Sequence, residues 1–145
     1  MTLLRRQAGM TENKYQDRDV LDKLGIQPGD TVAFANDVRA IDPDLPQRIL
    51  ERTGRPEATE DEALHIVLAV INETTDAVAL LKHWRKRLVP NGGIWLLTAK
   101  RGQPGHVDQR ELIAAGQQAG VVDNKGCSVS STVSAMRFVI RKKDR

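Results

Sequence analysis

The sequence predicts an α/β fold with a mostly parallel sheet of about five strands that ends in a C-terminal antiparallel hairpin. Three observations carry this. An apolar run, Ile66-Val67-Leu68-Ala69-Val70-Ile71, leads into an amphipathic helix. A second apolar run, Ile94-Trp95-Leu96-Leu97-Thr98, follows that helix almost at once. Strand, crossover helix and strand is the unit of parallel sheets, and strands covered on both faces read as continuous apolar stretches. Finally, Val121 to Val129 and Val133 to Arg141 flank a Ser130-Ser131-Thr132 turn, the pattern of a hairpin at one edge of the sheet.

Each element follows in order. Residues 1–14 are polar and aperiodic and read as a flexible N-terminal arm, leaving a single α/β domain over residues 15–145. Asp17 is placed to cap a short helix that carries Val20, Leu21 and Leu24 on one face and stops at Gly25. Gln27-Pro28-Gly29-Asp30 turns the chain into a first buried strand, Thr31 to Ala35. The stretch from Asp42 to Pro46 starts a helix with Ile49 and Leu50 facing inward, ending near Gly54. An acidic connection over residues 55–62 leads to the second strand, Ala63 to Ile71.

The next helix is the clearest. Ala77, Leu81, Trp84 and Leu88 recur at i, i+4, i+7 and i+11, with Lys82, Arg85 and Lys86 on other faces. Pro90 cannot continue it, and Gly92-Gly93 supplies free backbone for a turn into the third strand. Asp108, with Glu111 three residues on and Val107 and Leu112 flanking, reads as a capping box with a hydrophobic staple. Leu112, Ala115 and Ala119 form that helix's inner face, and Gly120 ends it.

Composition narrows the function classes. A chain of 145 residues with 40% apolar and 28% charged residues can bury a core without staples. Its aromatics are Trp84, Trp95, Tyr15, Phe34 and Phe138, too few for base-stacking platforms. The net charge of +3 gathers at Arg5-Arg6, at Lys82 to Arg87 and at Arg141-Lys142-Lys143. Solvated faces and a helix C-terminus account for such clusters, and an anionic partner is the sharper alternative. One cysteine excludes an internal disulfide, and without an apolar run of membrane-spanning length the chain reads as cytoplasmic.

Ligands of open α/β sheets lie beyond the carboxyl ends of the strands. That rule singles out Asn36 and Asp37, Asn72 and Glu73, and Thr98, Lys100 and Arg101 as candidate site residues. It assigns Pro90 to Gly93 to the opposite edge, as a structural turn. The first strand runs on through Asn36-Asp37-Val38-Arg39-Ala40 without a glycine, so the backbone lacks the close approach a cofactor loop needs. His65, His83 and His106 have no metal-like spacing with one another or with Cys127, and no metal is expected. Cys127 lies two residues after Lys125, whose ammonium would favour a redox-active thiolate; a small buried hydrophobe is the plainer reading.

Several stretches together resemble an uncharacterised bacterial domain family of unknown function, largely actinobacterial. They are Leu21 to Asp30 before a strand, the Pro90-Asn91-Gly92-Gly93 stretch, Lys100, Ala119 to Cys127, and Ser134 to Val139. The resemblance runs from about Tyr15 to Arg141 and implies a Rossmann-like, shortened class I methyltransferase-like fold without the glycine-rich S-adenosylmethionine loop. Ser130-Ser131 stands where that family usually has an acidic pair, and Val133 where it usually has a tryptophan.

The expectation is a non-catalytic binding or regulatory module, without cofactor, acting through a protein partner. Two alternatives are a divergent S-adenosylmethionine-dependent methyltransferase using Asn36, Asp37, Asn72 and Glu73, and a basic protein associated with nucleic acid or the ribosome.

Overall fold

A computed structural model describes residues 19–145. The arm over residues 1–14, the Arg5-Arg6 pair, Tyr15 and the Asp17 cap lie outside the described residues. Helix α1 (Val20–Lys23) is capped by Asp19, whose side chain accepts from Leu21 N at 2.9 Å, and the chain leaves it through Gly25 at φ 72°. Strand β1 (Val32–Ala35) runs into a one-turn helix α2 (Val38–Ile41) that the sequence pattern did not predict. Helix α3 (Leu45–Thr53) starts later than Asp42 and ends on Gly54 in the left-handed region. It buries Leu45, Pro46, Ile49 and Thr53, whereas Leu50 is only half-buried.

Strand β2 (Leu64–Val70) leads to helix α4 (Ala77–Arg85), capped by the Asp76 side chain on Ala79 N. Strand β3 (Leu88–Ala99) is the longest, and helix α5 (Gln109–Ala119) follows, capped by Asp108 on Arg110 N at 2.8 Å. Strands β4 (Val121–Ser128) and β5 (Val133–Ile140) complete the sheet, and a 3-10 turn covers Lys142–Asp144.

The strand order is β1-β2-β3-β5-β4. The first three strands are parallel, and β5 runs antiparallel to both β3 and β4. This is the expected mostly parallel sheet with a terminal hairpin. Alternation along the strands sorts the core into two faces. Ala33, Val67, Ala69, Ile94, Leu96, Met136 and Phe138 pack with Leu81 of α4 and with Leu112, Ala115 and Ala119 of α5. Val32, Ile66, Leu68, Trp95, Leu97, Val133 and Ala135 pack with residues of α1, α2 and α3. Trp95 is 1% exposed, and its indole N–H donates to Leu24 O at 3.0 Å, so a buried polar atom is satisfied while α1 is tied to the sheet. Gly116 lets Phe138 approach α5: a Cβ there would lie 2.7 Å from the ring.

The start of β3 departs from expectation. Leu88 fits the helical period of α4, yet it is a strand residue paired with Leu64. From Leu88 to Gly93 the strand holds more residues than the partner stretch Leu64 to Ile66, so it bulges. Gly92 is needed because β2 presses on it: a Cβ would meet Leu64 O at 2.7 Å. Gly92 thus serves close backbone approach, and Gly93 makes room for the Arg137 side chain, rather than forming a free turn. Among the described residues, no helix is long and apolar enough to cross a membrane.

Candidate functional site

The carboxyl edge of the parallel strands carries the candidate residues, and its three openings differ. Between β1 and β2 the crevice is bridged. Asn36 adopts φ 59°, a left-handed conformation that asparagine tolerates better than most residues, and its Nδ2 donates to Val70 O at 2.7 Å. The side chain therefore adds one more rung across the strand ends. Asp37 is exposed at the start of α2 and makes no side-chain capping bond.

Beyond β2, Asn72 is engaged in its own turn. Its Oδ1 accepts from Thr74 N at 2.8 Å and from Thr74 Oγ1 at 2.6 Å, while its N–H donates to Thr75 Oγ1 at 3.0 Å. This is the side-chain turn expected of asparagine before a helix. Asn72 and Glu73, with Asp76 and Glu111, line a shallow acidic cleft of about 340 Å³ between α4 and α5.

Beyond β3 a larger cleft of about 460 Å³ opens between the strand end, the loop before α5 and β5. Thr98, Lys100, Arg101, His106, Leu112 and Met136 are among its lining residues. His106 Nδ1 lies 2.8 Å from Ala99 O. A carbonyl can only accept, so Nδ1 carries the hydrogen and Nε2 is an acceptor in the neutral ring. The cleft thus has an apolar wall of Leu112 and Met136, two cationic side chains and a histidine of fixed tautomer. It can take an apolar group bearing an acidic or hydrogen-bonding head.

The structure brings Asn72, Glu73 and Lys100 to neighbouring clefts that share Val107 and Leu112. Asn36 and Asp37 line neither. Sequence reasoning gave His106 and Met136 no role. A histidine lying between a strand end and a helix cap was the available signal for the first. For the second, only the antiparallel register of β5 on β3 places it, opposite Leu96.

Two of the three histidines take structural positions. His65 Nδ1 accepts from Thr31 N at 3.0 Å, which locks β1 to β2, and His83 stands edge-on to Trp84 at 4.9 Å. Among the described residues, no three His, Cys, Asp or Glu side chains are grouped to hold a metal ion. Cys127 is half-buried on β4, opposite Ala135, and packs against the Trp95 face of the sheet. Between Asp123 and Lys125 the strand shifts register.

Much of the basic charge also holds the fold together. Arg85 Nε donates to Gly120 O at 3.2 Å, capping the end of α5. Arg87 donates to Thr59 O at 2.6 Å and to Glu62 O at 3.2 Å, and lies 5.4 Å above the Trp84 ring. Arg141 pairs with Asp144 at 3.1 Å. Arg137, pressed against Gly93, has its pKa lowered by burial first and by the neighbouring Arg145 second.

Residues 21–142 match the family described as "protein of unknown function (DUF3052)". No curated relative matches the sequence. Among solved structures the chain is similar to a SAM-dependent methyltransferase from Aquifex aeolicus, with TM-score 0.64, 12% identity, and coverage of 90% of this chain and 98% of that one. It is also similar to magnesium protoporphyrin IX methyltransferase from Synechocystis, with TM-score 0.57, 13% identity, and coverage of 97% and 85%. A third likeness is to the CcbJ methyltransferase from Streptomyces caelestis, with TM-score 0.55, 8% identity, and coverage of 80% and 85%. At these identities the likeness is one of fold, and the fold is the Rossmann-like, methyltransferase-like α/β architecture.

Proposed function

The chain belongs to the DUF3052 family of unknown function, and we propose that it is a non-catalytic binding or regulatory module on a methyltransferase-like scaffold. The observation that carries this reading is Asn36. At the crevice between β1 and β2, the amide bonded to Val70 O occupies the gap between the strand ends. The turn after β1 holds no glycine to let a cofactor approach the backbone. These residues do not fit S-adenosylmethionine. The ligand-accepting surface lies instead at the end of β3, around Thr98, His106 and Met136, and through it the module would report to a protein partner.

Calorimetric titration with S-adenosylmethionine tests the reading directly. No heat of binding is expected. Saturable binding at micromolar affinity would overturn it in favour of a divergent methyltransferase, the reading that the fold likeness favours. That enzyme would use Asn36, Asp37, Asn72 and Glu73, and Asn36→Gly should then tighten cofactor binding by clearing the crevice.

A further inference from the structure

We propose that the hollow framed by α1, the start of α3 and the β4–β5 turn is a binding site for the phosphate group of a small phosphomonoester. The hollow measures about 480 Å³ and is lined by Lys23, Arg48 and Lys100, by Ser128, Ser130 and Ser131, and by Asp19 and Asp42. It is distinct from the Thr98–Met136 cleft, although Lys100 lines both.

Two ammonium groups converge on one residue. Lys23 Nζ donates to Ser128 O at 3.3 Å, and Lys100 Nζ donates to Ser128 Oγ at 2.7 Å. Neither pairs with a carboxylate among the described residues, where the ion pairs at this surface are Arg48 and Arg52 with Asp19 and Arg52 with Asp22. Each ammonium has three donors and gives one to Ser128, so each keeps two for a ligand. Two like charges held at one residue, neither in an ion pair, are stabilised by an anion placed between them, and lysine binds phosphate in this way as a point charge.

The cations are also positioned before any ligand arrives. Lys100 N–H donates to Thr132 O at 2.8 Å, which holds the base of that side chain on the hairpin turn. Ser128 Oγ donates to Ser130 O at 3.0 Å, fixing the hydroxyl that receives Lys100. Lys23 projects from α1, which Arg52 anchors through Asp22 at 2.6 Å and Arg48 through Asp19 at 3.0 Å. Such preorganisation lowers the cost of ordering the site on binding.

One carboxylate helps to select among anions. Asp42, which makes no ion pair among the described residues, shares the lining with the lysines, so a polyanion extending past it would meet negative charge. A single phosphate on a small hydroxylated molecule fits, with Asp42 available to accept from a hydroxyl. This inference stands apart from the binding-module reading: it survives if S-adenosylmethionine binds, and fails without affecting that outcome.

The test is a calorimetric and ³¹P NMR titration of the full chain in chloride buffer. The probes are inorganic phosphate and ribose 5-phosphate, with ribose as the neutral control. Saturable binding of both phosphates is expected, with ribose silent. Lys23→Gln and Lys100→Gln should each weaken it about tenfold, the scale of one charge-assisted contact. Lys100→Arg should retain most of the affinity, and Lys82→Gln on α4 should match the parent. Thermal melts of each variant separate lost binding from lost folding. Absence of saturable phosphate binding, or equal binding by the folded Lys23→Gln/Lys100→Gln double variant, overturns the proposal. Tighter binding of single-stranded RNA through the same two lysines, weakening steeply with salt, would overturn its small-molecule form.

Discussion

The two ends of β3 show one strand closed and then open. At its amino end the backbone is held at several points, although Pro90 and Asn91 are exposed. Arg87 reaches Thr59 O and Glu62 O, Leu88 pairs with Leu64, Gly92 lies under the β2 backbone and Gly93 under the Arg137 guanidinium. At its carboxyl end the last carbonyl is held by His106, and beyond it Lys100 and Arg101 border a cleft. The glycine-rich segment, which in a sequence suggests a ligand loop, marks the tightly packed end. The useful sign of the open end is a set of cations that make no ion pair among the described residues.

This contrast can be broken most forcefully at Gly92. Valine there would place its Cβ against the Leu64 carbonyl, a backbone atom with no easy retreat. Gly92→Val should lose about 3 kcal/mol, at the upper end of the cost of overpacking, measured by urea denaturation. Gly93→Ala should cost less, because the group it meets is the end of the Arg137 side chain.

A smaller effect is expected at the bridged crevice. Asn36→Ala removes the bond to Val70 O and leaves a less tolerant residue at positive φ, at a cost of about 1–2 kcal/mol in the same assay. Asn36→Gly keeps the backbone conformation and should recover part of that loss.

At the open end, His106→Ala removes the bond to Ala99 O and should cost about 1 kcal/mol. If it destabilises the chain as much as Gly92→Val, the carboxyl end is as tightly built as the amino end and the contrast fails.

The smallest effect concerns acid. Glu62 accepts from Thr59 N, which lowers its pKa most, and the Arg55 side chain adds to this while desolvation opposes it. A carboxyl with a folded-state pKa below its unfolded value contributes stability above the unfolded pKa and loses it as pH falls through the folded one. The Thr59 amide resonance should therefore titrate below the usual glutamate range and stop titrating in Glu62→Gln.

The fold was legible because its signals are local: apolar runs for the buried strands, Asp108 as a cap, Gly54 and Gly120 as helix ends. Leu88 was misread because it continues the spacing of Leu81 and Trp84, while its pairing with Leu64 depends on residues distant in sequence. Lys100, Asn72 and Glu73 could be placed at the carboxyl edge from strand ends alone. That Asn72 is occupied by Thr74, and Asn36 by Val70, could not be read, because both are polar residues after strands until their partners are known. Convergence of Lys23 and Lys100 on Ser128 joins three separate elements and leaves no mark in any one of them.

The position of β5 has a consequence for biosynthesis. It is made after β4, yet it stands between β3 and β4 in the sheet. Until residues 133–140 emerge, the apolar stretch Gly93 to Ala99 has an unsatisfied edge and β4 has no strand to pair with. An unfinished chain thus exposes a ready template for association with other chains. The Ser130-Ser131-Thr132 turn is where that hazard ends, because folding it back inserts β5 between β3 and β4.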